Sequence, residues 1–338
     1  MEKMFDLQLF ATPVQPIITP GATKNTHDYT ATELNTNVGF GKLLEPGLRK
    51  IFFETYDELP EQYSKVFNVE SSTKARETDF GLGAFGDWTQ RTSQIDEVKY
   101  KTINPGLVRT YVHNSFADGF MVTREMYDDE QYREMEKMPK ALARGGRQKV
   151  EKDAVTVFKN AFATNGYDGV PLISATHPLV NSTKKVSNLV VGALNDATLK
   201  LAIQRMREQL DEAGNLIQLK PTHLVVPPAL EDTAVRLLNS TQVTGGNLND
   251  SNKFLSQSGI QIIVLDYLGL AGGGSDTAWF LIDMNNHQLN FFWRVKPEFK
   301  WAEDFDTFVA KYRGYMRYSY GFSDFRGIVG STGVTATP

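Results

Sequence analysis

The stretch PKALARGGRQKVEKDAVTVFKNAFA, residues 139–163, is the longest helical pattern in the sequence. Its apolar residues recur at positions 142, 150, 154, 157, 158, 161 and 162, which is the spacing of one buried helix face. Pro139 stands where a first helical residue is favoured, whereas Gly145 and Gly146 weaken the first turns. At 1.5 Å per residue, the predicted helix is about 37 Å long and dominates the fold.

An apolar, strand-like segment and an acidic turn precede this helix. The segment is SFADGFMVT, residues 115–123, and the turn contains Asp128, Asp129 and Glu130. Paired carboxylates can perform acid/base chemistry, but negative charge is also favourable where a helix begins. We therefore expect these three residues to lie at a helix N-terminus.

Residues 70–112 are mostly polar and rich in Thr, Lys and Arg. In places the residues alternate along the chain as they do in a strand, as at Val108, Thr110 and Val112. This pattern predicts an exposed hairpin whose glycine-rich turn lies between Phe80 and Trp88. At ~3.3 Å per residue, arms of about fifteen residues reach about 50 Å, further than a compact core requires.

Residues 11–40 are predicted to be either a flexible arm or a segment that its neighbours order. Residues 11–40 are rich in Pro, Gly, Thr and Asn and cannot bury much apolar surface by themselves. A short amphipathic helix is expected from Leu43 to Leu59, where Pro60 closes the pattern.

An α/β-like alternation follows the long helix and makes the predicted fold class α+β. A helix capped by Asn195 precedes the strand THLVVPP, the helix ALEDTAVRLLNS and the strand GIQIIVLDYL. AWFLIDMNNHQLNFFWRV is predicted to be a hairpin turning at Asn285 and Asn286. The last apolar section, from residue 305 onward, predicts one long strand or two.

Composition excludes several classes of function. The chain has 338 residues, 36 basic and 40 acidic residues, a net charge of −4 and no cysteine. It therefore lacks disulfides, thiolate metal sites and cysteine nucleophiles, and no basic run favours nucleic-acid or membrane binding. The first sixteen residues are too poor in apolar residues for a secretory signal, and no stretch has the roughly 18 apolar residues of a membrane helix.

Two glycine-rich motifs raise the question of phosphate binding. GLGAFG, Gly81 to Gly86, has the spacing of a dinucleotide-binding loop, but the preceding SSTKARETDF is not a buried strand. AGGGSD, residues 271–276, lacks a P-loop lysine and is better explained as a linking turn. We therefore predict no cofactor.

No other pattern predicts catalysis. The histidines at 27, 113, 177, 223 and 287 lack metal-site spacing, so surface or turn positions are expected for them. No nucleophile with an evident base can be named, so neither a catalytic nor a metal site is predicted. YRGYMRYSYGF, residues 312–322, could stack bases, but a strand with one buried aromatic face explains it equally and fits the acidic chain better.

Several stretches, taken in order, resemble one family. These are DLQLFAT, GFMVTREMYDDEQY, GVPLISATHPL, SNLVVGALNDATL and KPTHLVVPPALEDTAVRLLNS. They are similar to the major capsid proteins of tailed bacteriophages with the Hong Kong 97-type fold, particularly Mu-type head subunits. The resemblance is good from about Phe120 to Phe322 and weaker before it.

The resemblance implies a division of the chain into capsid domains. It implies an N-terminal arm (1–57), a peripheral domain (58–69 and 113–191) with the spine helix 139–163, an extension-loop hairpin (70–112), an axial domain (192–291) and return strands with a tail (292–338). The implied function is not enzymatic. Hexamers and pentamers of the chain would close into an icosahedral phage head around double-stranded DNA.

The resemblance also implies partners and a location. A separate scaffolding protein, a portal and non-specifically held genomic DNA are expected, with assembly in the host bacterial cytoplasm and the virion as destination; no membrane partner is expected. The subunit-interface candidates lie on the hairpin and are Gly81, Gly83, Phe85, Gly86, Trp88, Lys99 and Lys101. Some relatives crosslink a lysine of this loop to an asparagine, but an ordinary surface position is favoured for Lys99 and Lys101.

Two alternatives remain open at this level. An encapsulin-like shell would share the fold but enclose enzymes instead of DNA, and another phage structural component would not build the head. An α/β enzyme using residues 192–291 is less favoured because no nucleophile, metal site or cofactor loop can be named.

Overall fold

The structure is a computed structural model, and it describes residues 39–82, 88, 90, 92, 97, 100, 105–179, 182–240, 253–304 and 306–334. Helices and strands are both abundant in these residues, which confirms the predicted α+β class. The helices are α1 Phe40–Glu58, α2 Arg124–Asp128, α3 Tyr132–Lys159, α4 Asp196–Arg207, α5 Glu231–Asn239 and α6 Lys253–Ser256. The strands are β1 Asn68–Ser71, β2 Arg76–Leu82, β3 Pro105–Val112, β4 Asn114–Thr123, β5 His177–Leu179, β6 Ser182–Val186, β7 His223–Val226, β8 Gln261–Val264, β9 Trp279–Ile282, β10 Leu289–Asp304, β11 Val309–Phe322 and β12 Ile328–Ser331.

The described residues form two compact units. Unit 1 contains the residues up to Pro60, Asn114–Lys149 and Val295–Arg317. Unit 2 contains Glu61–His113, Val150–Arg294 and the residues from Tyr318 onward. Each unit is described separately below.

Unit 1 is built around α1, the first part of α3 and the neighbouring strands β10, β11 and β4. The buried side chains of α1 recur every three or four residues, so one face of the helix enters the core. They are Phe40, Leu44, Leu48, Ile51, Phe52 and Tyr56, and they pack with Val122, Met135, Ala143, Phe299, Ala310 and Tyr312. Residues 40–57, which the resemblance to capsid proteins placed in an N-terminal arm, therefore contribute to a core of their own chain.

The long helix is present, but its ends differ from the prediction. It runs from Tyr132 to Lys159, so Pro139 lies inside the helix and residues 160–163 form turns after it. The amide of Ala161 bonds to the carbonyl of Phe158, a tighter i, i+3 bond that ends the helix.

The acidic turn lies between two helices, the first ending at Asp128 and the second beginning at Tyr132. Asp128 ends the short helix α2, where its carboxylate accepts bonds of 2.9 Å from the guanidinium of Arg124. Thr123 caps the start of α2 by accepting a bond from the amide of Met126. Glu130 has φ 53° and turns the chain between α2 and α3. The acidic residues therefore close one helix and connect it to the next.

Replacing Gly145 by alanine should raise the free energy of unfolding by about 0.5–1 kcal/mol. Gly145 lies exposed inside α3, and a Cβ added there would meet no atom within 4 Å. Alanine loses less backbone entropy than glycine when a helix forms. Urea unfolding of the unassembled protein measures the change. Gly119→Ala is the control and should lower the free energy of unfolding, because its Cβ would clash with the carbonyl oxygen of Tyr312. A Gly145→Ala protein less stable than the wild type would contradict the prediction.

Unit 2 contains a four-stranded sheet in the order β12-β9-β7-β8. β7 pairs in parallel with β8 and antiparallel with β9, and β12 pairs antiparallel with β9. The predicted helices and buried strands are found here. Asn195 caps α4 as predicted, because its side chain accepts from the amide of Thr198 at 2.9 Å while the Thr198 hydroxyl accepts from the Asn195 amide at 3.0 Å.

The hairpin predicted at Asn285 and Asn286 is wrong. β9 does not pair with β10, because β7 and β12 occupy both edges of β9. β10 instead lies between β1 and β11, and β1 pairs with it in parallel from Asn68↔Asn290 to Ser71↔Trp293. The chain therefore changes sheets at this turn, which Asp283 holds by accepting from the amides of Lys220 and Asn285.

Candidate functional site: the hairpin and its root

The predicted hairpin is formed by β2 and β3. These strands pair antiparallel from Arg76↔Val112 to Phe80↔Val108, and the register shifts before the last pair, Leu82↔Pro105. Gly81 lies in β2 at this shift, where a bulge favours glycine. Because β2 extends to Leu82, the turn predicted between Phe80 and Trp88 does not include Gly81 and Leu82, and residues 83–87 lie outside the described residues.

The structure describes only some of the predicted interface residues. Gly81 is a strand residue, and Trp88 is 96% exposed. Gly83, Phe85, Gly86, Lys99 and Lys101 lie outside the described residues.

Tyr100 was missed as an interface candidate although it is 94% exposed. The signal was present in the sequence, because Tyr100 belongs to the alternating pattern of the second hairpin arm. Val108 and Val112 on β3 are exposed as well. The ribbon of β2 and β3 carries exposed aliphatic side chains, and Trp88 and Tyr100 in the chain that joins the two strands are exposed as well. A two-stranded ribbon is marginally stable alone, and such exposed side chains present surface to a partner.

The opposite face of β3 anchors the hairpin within unit 2. The ring of Tyr111 packs edge-on against Phe292, with 5.1 Å between ring centroids, and its hydroxyl lies 2.5 Å from that of Ser323. Burial raises the pKa of Tyr111, while the hydrogen bond with Ser323 opposes the rise. The side chain therefore stays uncharged near neutral pH and acts as a buried anchor.

A polar network fixes the base of both strands. The two ring nitrogens of His113 lie 3.2 Å from the hydroxyl of Ser72 and 3.0 Å from that of Ser319. Ser72 donates to the carboxylate of Glu77 at 2.7 Å, and the ammonium of Lys74 donates to it at 3.0 Å. These bonds, that from Ser72 first, lower the pKa of Glu77. The base of the hairpin is therefore held within unit 2 by a hydrogen-bonded root.

His113, His177 and His287 are buried. His113 and His177 contradict the predicted surface or turn positions, whereas His287 closes the turn after Asp283 by donating its amide to the Asp283 carbonyl. His177 is the most enclosed. Its Nδ1 lies 2.6 Å from the carboxylate of Asp168, its Nε2 lies 3.1 Å from the amide oxygen of Asn188, and its ring stacks on Phe325 at 3.7 Å. Partners for both nitrogens make burial possible, because a buried polar group without them is costly.

This histidine cluster has no catalytic geometry. The side chains of His177 and Asp168 are only 1% and 2% exposed, so a substrate cannot reach them. Asn188 holds the position that a nucleophile would need, and its amide group donates to the carbonyls of Leu172 and Ile328. Within the described ranges no three His, Cys, Asp or Glu residues lie together as metal ligands. The cluster is therefore a buried, hydrogen-bonded structural element of unit 2.

AGGGSD is a closed turn instead of a phosphate-binding loop. The amides of Gly272 and Gly274 bond to the carbonyl of Gly269, and the amide of Ser275 bonds to the carbonyl of Leu268. Amides used in this way cannot also cradle an anion. The interpretation of this stretch as a link between strands agrees with these bonds.

Unit 1 contains an open cleft of about 500 Å³ between α1, α3 and the strands β4, β10 and β11. Its lining is mostly aromatic or small, including Phe52, Phe116, Gly146 and Gly314, and the ammonium of Lys149 lies 4.9 Å from the centre of the Phe116 ring. Such a lining suits apolar side chains better than a polar substrate.

In the part of the chain that the structure describes, no helix has both the length and the hydropathy of a transmembrane segment.

Comparisons with known proteins agree with a structural role. Residues 108–331, more than half of the chain, match the family model described as phage capsid protein. The chain is 42% identical to the major capsid protein of Escherichia phage Mu over 65 residues, which are 19% of this chain and 21% of that protein. It is 22% identical over 313 residues to the Mu-like prophage FluMu major head subunit of Haemophilus influenzae, covering 68% of this chain and 96% of the relative.

Solved structures of phage capsids are also similar. The bacteriophage JBD30 capsid matches with 18% identity and a TM-score of 0.47, covering 62% of this chain and 92% of that chain. The family model and the two sequence relatives agree with the order of motifs along the sequence and confirm the resemblance to tailed-phage head subunits of the Mu type. The chain therefore belongs to the phage capsid protein family.

Proposed function

We propose that this chain is the major capsid subunit of a tailed phage, and that it forms hexamers and pentamers that close into an icosahedral head around double-stranded DNA. The observation that carries the proposal is a hairpin with a buried, hydrogen-bonded root and exposed aromatic side chains, in a chain of the phage capsid family. The root of the hairpin is buried, whereas Trp88 and Tyr100 contact almost nothing in their own subunit.

The hairpin supplies the intersubunit contact in this proposal. Large aromatic residues are the usual anchors of protein interfaces, and they contribute most when a partner removes them from water. In a symmetric shell the same contact recurs at every subunit, so modest pairwise contacts add up to a stable closed lattice. The phosphates of the enclosed DNA, the scaffolding protein and the portal are the further partners, and assembly takes place in the host cytoplasm.

The division into capsid domains is part of the same proposal. β2, β3 and the residues between them form the extension loop, and α3 is the spine helix of the peripheral domain. The sheet β12-β9-β7-β8 with α4 and α5 belongs to the axial domain, approximately residues 192–291, and β10 and β11 provide most of the return strands.

Negative-stain microscopy of the purified chain, alone and with a scaffolding protein from the same phage, tests the proposal. Closed shells or hexameric capsomers are the expected result. A monodisperse small oligomer under both conditions would contradict it. Shells that enclose enzymes and never package DNA would support the encapsulin-like alternative instead.

A further inference from the structure

One exposed face of α3 carries a row of cations. Arg133, Lys137, Lys140 and Arg144 are all exposed and follow one another at steps of four, three and four residues. At 100° per residue their directions fall within about 60° of each other, and the row extends about 16 Å along the helix axis. The sequence does not display this row as a run of charge, because acidic and apolar residues separate its members.

Among the described residues, most of this charge has no counterion. Lys137 pairs with Glu134 at 2.7 Å. Among the described residues, no hydrogen bond or ion pair joins Arg133, Lys140 or Arg144 to another side chain. Like charges four residues apart on a helix repel each other, as Lys140 and Arg144 do. The row is therefore an unfavourable arrangement for the free subunit, and a polyanion would make it favourable.

We infer that this basic row of α3 contacts the phosphate backbone of double-stranded DNA without reading its sequence. The inference rests on the proposed function, in which the shell encloses DNA. A duplex carries one negative charge per about 1.7 Å of its axis, so about ten phosphates lie along the length of the row. Three or four cations on one face can neutralise part of them, whereas base reading needs side chains inside a groove.

The surroundings of the row favour a polyphosphate over an acidic protein. No large apolar side chain of α3 is exposed, and a protein interface normally needs such an anchor. Phosphate contacts need only accessible charge, which this face offers.

Fluorescence anisotropy with a short, labelled double-stranded DNA tests the inference on the unassembled full chain at several salt concentrations. The variant Arg133→Gln, Lys140→Gln, Arg144→Gln removes the unpaired cations from the exposed face. Each phosphate contact contributes about 0.9 to the slope of log K against log salt, so the slope should fall in magnitude by about 2 to 3. Changing the DNA sequence should leave the result unchanged.

The matched control removes three exposed cations elsewhere, by Arg207→Gln, Lys220→Gln and Lys253→Gln. The control should keep the wild-type slope. Equal slopes for wild type and the α3 variant, or an equal loss in the control, would overturn the inference. The inference would also be overturned if the α3 variant kept its binding to DNA but lost binding to polyglutamate, an acidic polypeptide.

Microscopy of the same samples separates this inference from the proposed function. If the wild-type chain forms shells but its DNA slope does not depend on the α3 cations, only the DNA contact is wrong. If the wild-type chain forms no shells, the proposed function fails whatever the slope is.

Discussion

Replacing Trp88 by alanine should abolish or strongly reduce shell formation while the unassembled protein stays folded. The side chain is 96% exposed, so its own subunit loses almost no packing when it is removed. A neighbouring subunit would lose an aromatic anchor, and anchors of this kind contribute about 2 kcal/mol or more to an interface. The same contact is lost at every subunit, so the closed lattice loses far more stability than one missing contact would remove.

Sedimentation and electron microscopy measure assembly of the Trp88→Ala protein, and circular dichroism with urea unfolding measures its folding. Trp88→Phe is the matched control, since it keeps an aromatic ring and should keep most of the assembly. Shells of wild-type yield and stability from the alanine variant would mean that the hairpin contact is assigned to the wrong residues.

Replacing Asp168 by alanine should lower the free energy of unfolding by about 3–5 kcal/mol. Its carboxylate lies 2.6 Å from Nδ1 of His177, and both side chains are almost fully buried. Removing one member of a buried pair leaves the other desolvated and without its partner, which costs far more than the intact pair contributes. Asp168 also accepts a bond from the amide of Val170 at 3.3 Å, so the turn before β5 loses support as well.

Asp128→Ala is the control for this variant, because Asp128 pairs with Arg124 at 2.9 Å while both side chains are about half exposed. An exposed pair of this kind contributes about 0–1 kcal/mol. Urea unfolding of the unassembled proteins compares the two substitutions. A loss below about 1 kcal/mol for Asp168→Ala would show that the burial of this pair is less important than we infer.

Features set by local sequence were predicted well. The spacing of Leu199, Ala202, Ile203 and Met206 makes one buried face of α4, and Asn195 caps the helix because its partner Thr198 is only three residues away. The long helix was recognised for the same reason, since its apolar period lies within the helix itself. Its start was misplaced because Pro139 is also tolerated inside the helix, where the packing of Met135 and Ala143 extends the buried face.

Features that depend on distant partners were not predictable. The turn around Asn286 has the composition of a hairpin turn. Because β9 is hydrogen-bonded to β7 and β12, it does not pair with β10, and no hairpin forms. His177 is buried because Asp168 and Asn188 bond to its ring nitrogens, and no local sequence pattern predicts these partners. The row of cations on α3 likewise becomes visible only when exposure is known, because the same lysines and arginines could have flanked a buried face.

An electron cryomicroscopy map of particles formed by the wild-type chain tests the central claim most directly. The account predicts a closed icosahedral shell of hexamers and pentamers in which Trp88 of each subunit is buried against a neighbouring subunit. A shell in which Trp88 remains exposed, or an assembly that never closes, would contradict it.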